Sequence, residues 1–258
     1  MRAIVADSLH LVTRRLRPTL RQPVYLGFTL GTPVIWLFLF GQLFKGITAL
    51  PGFPSGSYLS FLVPGIVIMT AMLNSGWAGT SYVMDMERGV LDRLLVTPTR
   101  RVAIVAGDLG NQAVMTVVQS LIIIGLGLLA GARFPGGALA TLALLAAAVL
   151  IAAAFAALSI AVALLVRKQE SIIAIFNFLG LPLSFLSSTL LPTEFMPHWI
   201  QDISRWNPIS WGVTVGRQML ATHVDWSIAV SHLAYLLILA VVLVALCSLA
   251  FRSYQRLA

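Results

Sequence analysis

Six long apolar stretches, at residues 24–44, 58–82, 102–131, 138–166, 171–191 and 227–251, decide what this chain can become. A bilayer core is about 30 Å thick, and a helix crosses it in about 20 residues. Hydrocarbon offers no hydrogen-bond partners, so each stretch must close its backbone bonds within itself, as a helix. Composition agrees. The chain is 59% hydrophobic and 10% charged, whereas a soluble domain is roughly half apolar and about a quarter charged. The expectation is an all-α polytopic membrane protein, one domain over 1–258 with six transmembrane helices. The first apolar stretch is preceded by basic, amphipathic sequence and is long enough to span, so it is expected to be retained rather than cleaved.

The gaps between stretches set the orientation. Lys and Arg in short flanking segments stay on the cytoplasmic side during insertion. Of the 17 such residues, only Lys45, Arg133, Arg205 and Arg217 fall in the odd-numbered gaps; the rest occupy the even-numbered gaps and both ends. Both termini are therefore expected to be cytoplasmic, in a bacterial plasma (inner) membrane. Residues 1–23 carry Val5, Leu9, Val12 and Leu16 on one helical face and His10, Arg14, Arg17 and Arg21 on another. That pattern fits an amphipathic helix lying in the headgroup layer, ended or kinked by Pro18. The net charge of +8 is spread between apolar runs, which argues for lipid and against nucleic acid. The segment 192–226 holds Pro192, Pro197 and Pro208 with Trp199, Trp206 and Trp211, and is expected to be extracytoplasmic. Within it Phe195, Trp199, Ile203 and Trp206 recur at helical spacing, as a lid or as an aromatic interface anchor. Gly27/Gly31 and Gly127/Gly131 are GxxxG pairs suited to close helix contact.

A search for chemistry excludes more than it finds. A phosphate-cradling loop ends in Gly-Lys-Ser/Thr, and the two lysines, Lys45 and Lys168, sit in neither context. Gly125-Leu126-Gly127-Leu128-Leu129-Ala130 has dinucleotide-loop spacing but lies inside a lipid-grade run. The histidines His10, His198, His223 and His232 are scattered, and Cys247 is alone, so neither a metal site nor a disulfide is expected. No catalytic, cofactor-binding or metal residue is assigned, and any ATPase must be another polypeptide.

The cytoplasmic segment Glu87-Arg88-Gly89-Val90-Leu91-Asp92-Arg93-Leu94-Leu95-Val96-Thr97-Pro98 sets an apolar stripe of Leu91, Leu94 and Leu95 on a charged helix. A helix that docks in a partner's groove has this form, as does one resting on lipid. The segment resembles the coupling region of ABC-2 type transporter permeases. So does the order Leu191-Pro192, Met196-Pro197-His198-Trp199-Ile200, Asn207-Pro208-Ile209-Ser210-Trp211 and Arg217, which is similar to the family's outer helical hairpin before the last span. The family more often has Tyr or His where Trp211 stands. Among branches the chain looks most like the daunorubicin-resistance type. The resemblance implies an exporter permease without its own ATPase site. It implies pairing with a second permease, identical or different, and two copies of a separate ABC ATPase that carry ATP and Mg. On it, 87–98 is the coupling helix, with Glu87, Arg88, Leu91, Asp92, Arg93, Leu94 and Leu95 as contacts.

Polar side chains inside spans face the bundle or a wet path. Thr70, Asn74, Trp77 and Ser81 share a face of the second span, Asn177, Ser184 and Ser188 of the fifth, and Asp108, Gln112 and Gln119 of the third. The resemblance puts the second and fifth spans along the central path, so their stripes are expected to contact an amphipathic substrate; interhelical bonding accounts for them equally. The leading function is export of an amphipathic drug, antibiotic or lipid. Alternatives are a lipid-linked polysaccharide exporter and, on another plan, an ion-coupled transporter, for which only Asp108 is at hand.

Overall fold

A computed structural model describes residues 23–49, 53, 57–89 and 101–254. The expected interfacial helix at 1–23 lies almost wholly outside the described residues, as do Leu91, Asp92, Arg93, Leu94 and Leu95. Every regular element among the described residues is helical. In order they are α1 (Pro23–Leu43), α2 (Tyr58–Ser75), α3 (Ala78–Glu87), α4 (Arg101–Leu129), α5 (Gly137–Val166), α6 (Gln169–Phe185), α7 (His198–Trp206), α8 (Pro208–Arg217) and α9 (Trp226–Tyr254).

Among the described residues four stretches are long and apolar enough to cross a membrane: Tyr58–Glu87, Ala106–Leu129, Gly137–Val166 and Trp226–Phe251. The apolar helices at Gly31–Leu43 and Gln169–Phe185 are shorter. The chain is a multi-pass membrane protein. The fifth apolar stretch, expected over 171–191, stops being helical at Phe185 for a local reason. Ser187 Oγ donates to Ser184 O (2.6 Å), pairs with Thr189 Oγ1 (2.7 Å) and accepts from Thr189 N (3.3 Å). Hydroxyls that satisfy the backbone this way compete with helix continuation.

The alanine-rich α5 is the hub. It packs against α2, α3, α4, α8 and α9, and Ala140, Ala147, Ala152, Ala157 and Ala163 are buried. Side chains this small let several backbones approach one helix. The glycine pairs behave differently. Gly127 meets the Val63 side chain, where an added Cβ would lie 2.6 Å from Cγ2. Gly131 lies past the end of α4 with φ +95°, so that pair does not form one helical face. A Cβ added at Gly31 would meet nothing within 4 Å among the described residues.

The second apolar stretch, expected as one span, is two helices broken at Gly76-Trp77. A break inside a bundle must re-satisfy its freed backbone groups. Ser159 of α5 does so: its Oγ donates to Gly76 O and accepts from Gly79 N (2.9 Å). The approach is so close that a Cβ on Gly79 would lie 2.4 Å from Ser159 O. Glycine is required there.

Segment 192–226 is not a loose loop. Asn207 ends α7 and caps α8, its Oδ1 accepting from Ile209 N (3.0 Å) while its Nδ2 donates to Leu183 O (2.7 Å). Pro208 follows at the first helical position, where its missing N–H is not needed. From this start α8 buries Ile209, Val213 and Val215 against the bundle, next to α2 and α5. Gly136 N donates to Met219 O (2.9 Å), tying the α4–α5 turn to the end of α8.

Candidate functional site: a cavity at the broken span

The break between α2 and α3 opens a cavity of about 820 Å³. Thr70 and Asn74 reach it from α2, Trp77 from the break and Ser81 from α3. Trp36 comes from α1, Gln112 from α4, and Phe176 and Asn177 from α6. Among the described residues lining it, none carries a charge. Ligand pockets of this size are typically apolar with a few placed polar groups, and that is the chemistry here.

The polar groups are held, not loose. Asn74 Nδ2 donates to Gln119 Oε1 (2.9 Å), which ties α2 to α4 and fixes the Asn74 amide at the cavity edge. Ser81 Oγ donates to Ala78 O (2.7 Å), so that hydroxyl offers only its acceptor side. Trp77 is 51% exposed and Asn177 is exposed as well, which leaves both available to a ligand. Thr70, by contrast, is buried.

Five of the seven residues singled out for substrate contact therefore share one cavity: Thr70, Asn74, Trp77, Ser81 and Asn177. The other two do not. Ser184 is buried and donates to Gly180 O (2.8 Å) within α6. Ser188 lies beyond the end of α6 and lines a different cavity. The expected stripe Asn177, Ser184, Ser188 is split because α6 stops before its last member. The third-span set is split too. Gln112 lines the cavity and Gln119 holds Asn74, while Asp108 accepts a hydrogen bond from the Tyr82 hydroxyl. Of the expected coupling residues, Glu87 is the last residue of α3 and Arg88 its cap, both exposed, followed by Gly89 at φ +63°.

Sequence reasoning passed over Ser159, the residue that makes the break possible. Its signal was available: a hydroxyl within an alanine-rich run. It also passed over Trp36 and Phe176, which read as ordinary apolar positions until the fold turns them inward.

Arg217 closes the far end of α8. Its guanidinium donates to Ser188 O and lies 3.8 Å from the centroid of the Phe61 ring. Burial pushes this group below its ordinary range, opposed by Glu194 and Tyr58. With Tyr58 Oη donating to Leu190 O (2.9 Å), it fastens the turn after α6 to α2 and α8.

Comparison with known proteins gives a consistent picture. The family model for ABC-2 type transporters matches residues 8–221. A protein of Cyanophora paradoxa named as transport permease ycf38 is 32% identical over 86% of this chain and 76% of its own. A daunorubicin resistance ABC transporter permease protein, DrrB1 of Streptomyces coeruleorubidus, is 28% identical over 84% and 76%. The DrrC protein of Mycobacterium tuberculosis, named for doxorubicin resistance, is 24% identical over 84% and 77%.

Proposed function

The chain belongs to the ABC-2 type transporter family, and from that premise we propose that it is the permease subunit of an exporter for an amphipathic drug, antibiotic or lipid. Six spans cross the plasma membrane, four on long helices and two on the shorter α1 and α6, with both termini cytoplasmic. A second permease pairs with it, and a separate ATPase supplies ATP and Mg chemistry to each half. Daunorubicin and doxorubicin resistance in the names of two relatives supports a drug-like cargo.

The observation that carries the cargo class is the uncharged wall of the cavity at the broken span. Its aromatic faces suit a flat apolar body, and the Asn74 and Asn177 amides suit neutral polar substituents. A highly charged cargo would lose its hydration there without a compensating partner. An ion-coupled mechanism calls for an ionisable group in the path, and the described residues of the wall include none.

Energy enters through 87–98, with Glu87, Arg88, Leu91, Asp92, Arg93, Leu94 and Leu95 against the ATPase. Closure of the two ATPases rocks the permeases, and the broken span, already divided at Gly76-Trp77, is the element that moves the cavity wall. The test is export of a fluorescent anthracycline from cells expressing the permease with its ATPase. Asn177→Leu, at equal protein level, lowers export by about threefold to tenfold, the loss of one hydrogen bond. The Leu91→Asp, Leu94→Asp pair inserts normally but abolishes it. Undiminished export by both variants would overturn the assignment.

A further inference from the structure

We propose that the second cavity, between α7, α8 and the start of α9, binds the glycosyl head of an amphiphile. This site is separate from the transport cavity and does not depend on its assignment.

The cavity measures about 870 Å³. One wall is aromatic. Trp211 and Tyr235 have ring centroids 5.6 Å apart, and Tyr235 and His232 are 5.8 Å apart. The Trp211 ring N–H already donates to Arg205 O (2.7 Å), and the half-buried indole leaves part of its ring surface to the cavity. Trp206 also lines the cavity and is 81% exposed, a large ring that the fold does not use.

The remaining wall is polar, and one group in it lacks a partner. Ser188 is only 2% exposed, lines the cavity, and its Oγ has no hydrogen bond. An orphaned buried hydroxyl costs about 1–3 kcal/mol, and a ligand hydroxyl recovers it when rotation of the Ser188 side chain turns its Oγ toward the cavity that the residue lines. His232 Nδ1 lies 2.8 Å from Ile228 O. A carbonyl only accepts, so Nδ1 carries a proton, and Nε2 is the ring nitrogen left to a ligand.

Charge narrows the ligand. Asp202 and Arg205, one turn apart on α7, both line the cavity. The two opposite charges offset each other, so neither a quaternary ammonium, although it favours aromatic faces, nor a phosphate gains a net charge attraction there. A hydrocarbon leaves Ser188 unsatisfied. A pyranose ring satisfies all of these at once. Its C–H face lies on the aromatic wall, and each hydroxyl both donates and accepts. Beside the cavity, α7 exposes Trp199 (60%) and Ile203 (44%), an apolar face for the amphiphile's tail.

The full chain in phosphatidylcholine nanodiscs, titrated with octyl glucoside below its micelle concentration, is expected to show saturable tryptophan quenching. Trp206→Ala and Ser188→Val each weaken binding about tenfold, about 1.4 kcal/mol. Trp206 is exposed, so the first variant keeps the fold even if the second does not. A ligand-observed NMR titration of the same variant supplies a readout free of the lost fluorophore. Equal affinity for octyltrimethylammonium, or unchanged octyl glucoside binding by Trp206→Ala, overturns the proposal. Digalactosyl diacylglycerol placed in the disc identifies the source: competition with octyl glucoside assigns the site to a membrane glycolipid, and its absence, with saturable octyl glucoside binding, to a glycosylated cargo.

Discussion

Two cavities of nearly equal size, about 820 and 870 Å³, occupy the same bundle with different walls. The first is made by spanning helices and shows no charge among its described residues. The second is made by two short helices and the start of α9, and carries Asp202, Arg205 and His232. The difference follows from what surrounds each. Inside the spans a polar group must be satisfied by protein, so the broken span relies on Ser159, and Asn74 relies on Gln119. Around α7 and α8 polar groups are abundant and several satisfy one another, as in the 2.8 Å contact between Ser204 and Ser210, while Ser188 Oγ is left without a partner. The first region combines close backbone packing with side-chain hydrogen bonds, and the second is held mainly by the latter.

Substitutions can break that contrast. The largest effect is expected from Gly79→Val, which drives a branched side chain into the Ser159 carbonyl; overpacking of this kind costs about 3 kcal/mol or more. Membrane-fraction yield and unfolding in mixed SDS micelles read it, and wild-type behaviour would mean that the α3–α5 contact is looser than described. Ser159→Ala comes next. It leaves Gly79 N–H and Gly76 C=O unpaired, at about 2 kcal/mol, and amide exchange at Gly79 should accelerate selectively. In the second region Asn207→Ala removes one cap and one bond to Leu183 O, at about 1 kcal/mol. If it proved costlier than Ser159→Ala, the ranking of the two regions would be reversed. Trp206→Ala should leave the unfolding midpoint within about 0.5 kcal/mol, since an exposed ring makes little contribution.

Much of this was legible in the sequence. Helical ends at Pro23, Tyr58, Arg101, Gly137, Gln169 and Trp226 fall within two residues of the apolar boundaries. Hydrophobic length is a local property, and lipid enforces it. The face shared by Thr70, Asn74, Trp77 and Ser81 also survived, although the helix breaks between its members, because Gly76 and Trp77 keep right-handed helical backbone angles. The stripe from Asn177 to Ser188 did not survive. Its apolar residues continue to Leu191, and only the hydroxyl contacts among Ser184, Ser187 and Thr189 end the helix early.

The sequence by itself determined a multi-pass helical protein, the family resemblance and the neutral polar character of its spans, because each depends on runs of neighbouring residues. Only the tertiary structure decided where the second span breaks, which polar residues meet in one cavity, and that Ser188 belongs to another. Those outcomes depend on a hydroxyl more than eighty residues away and on α8 folding back into the bundle. Contacts between distant segments leave no periodic trace in the chain.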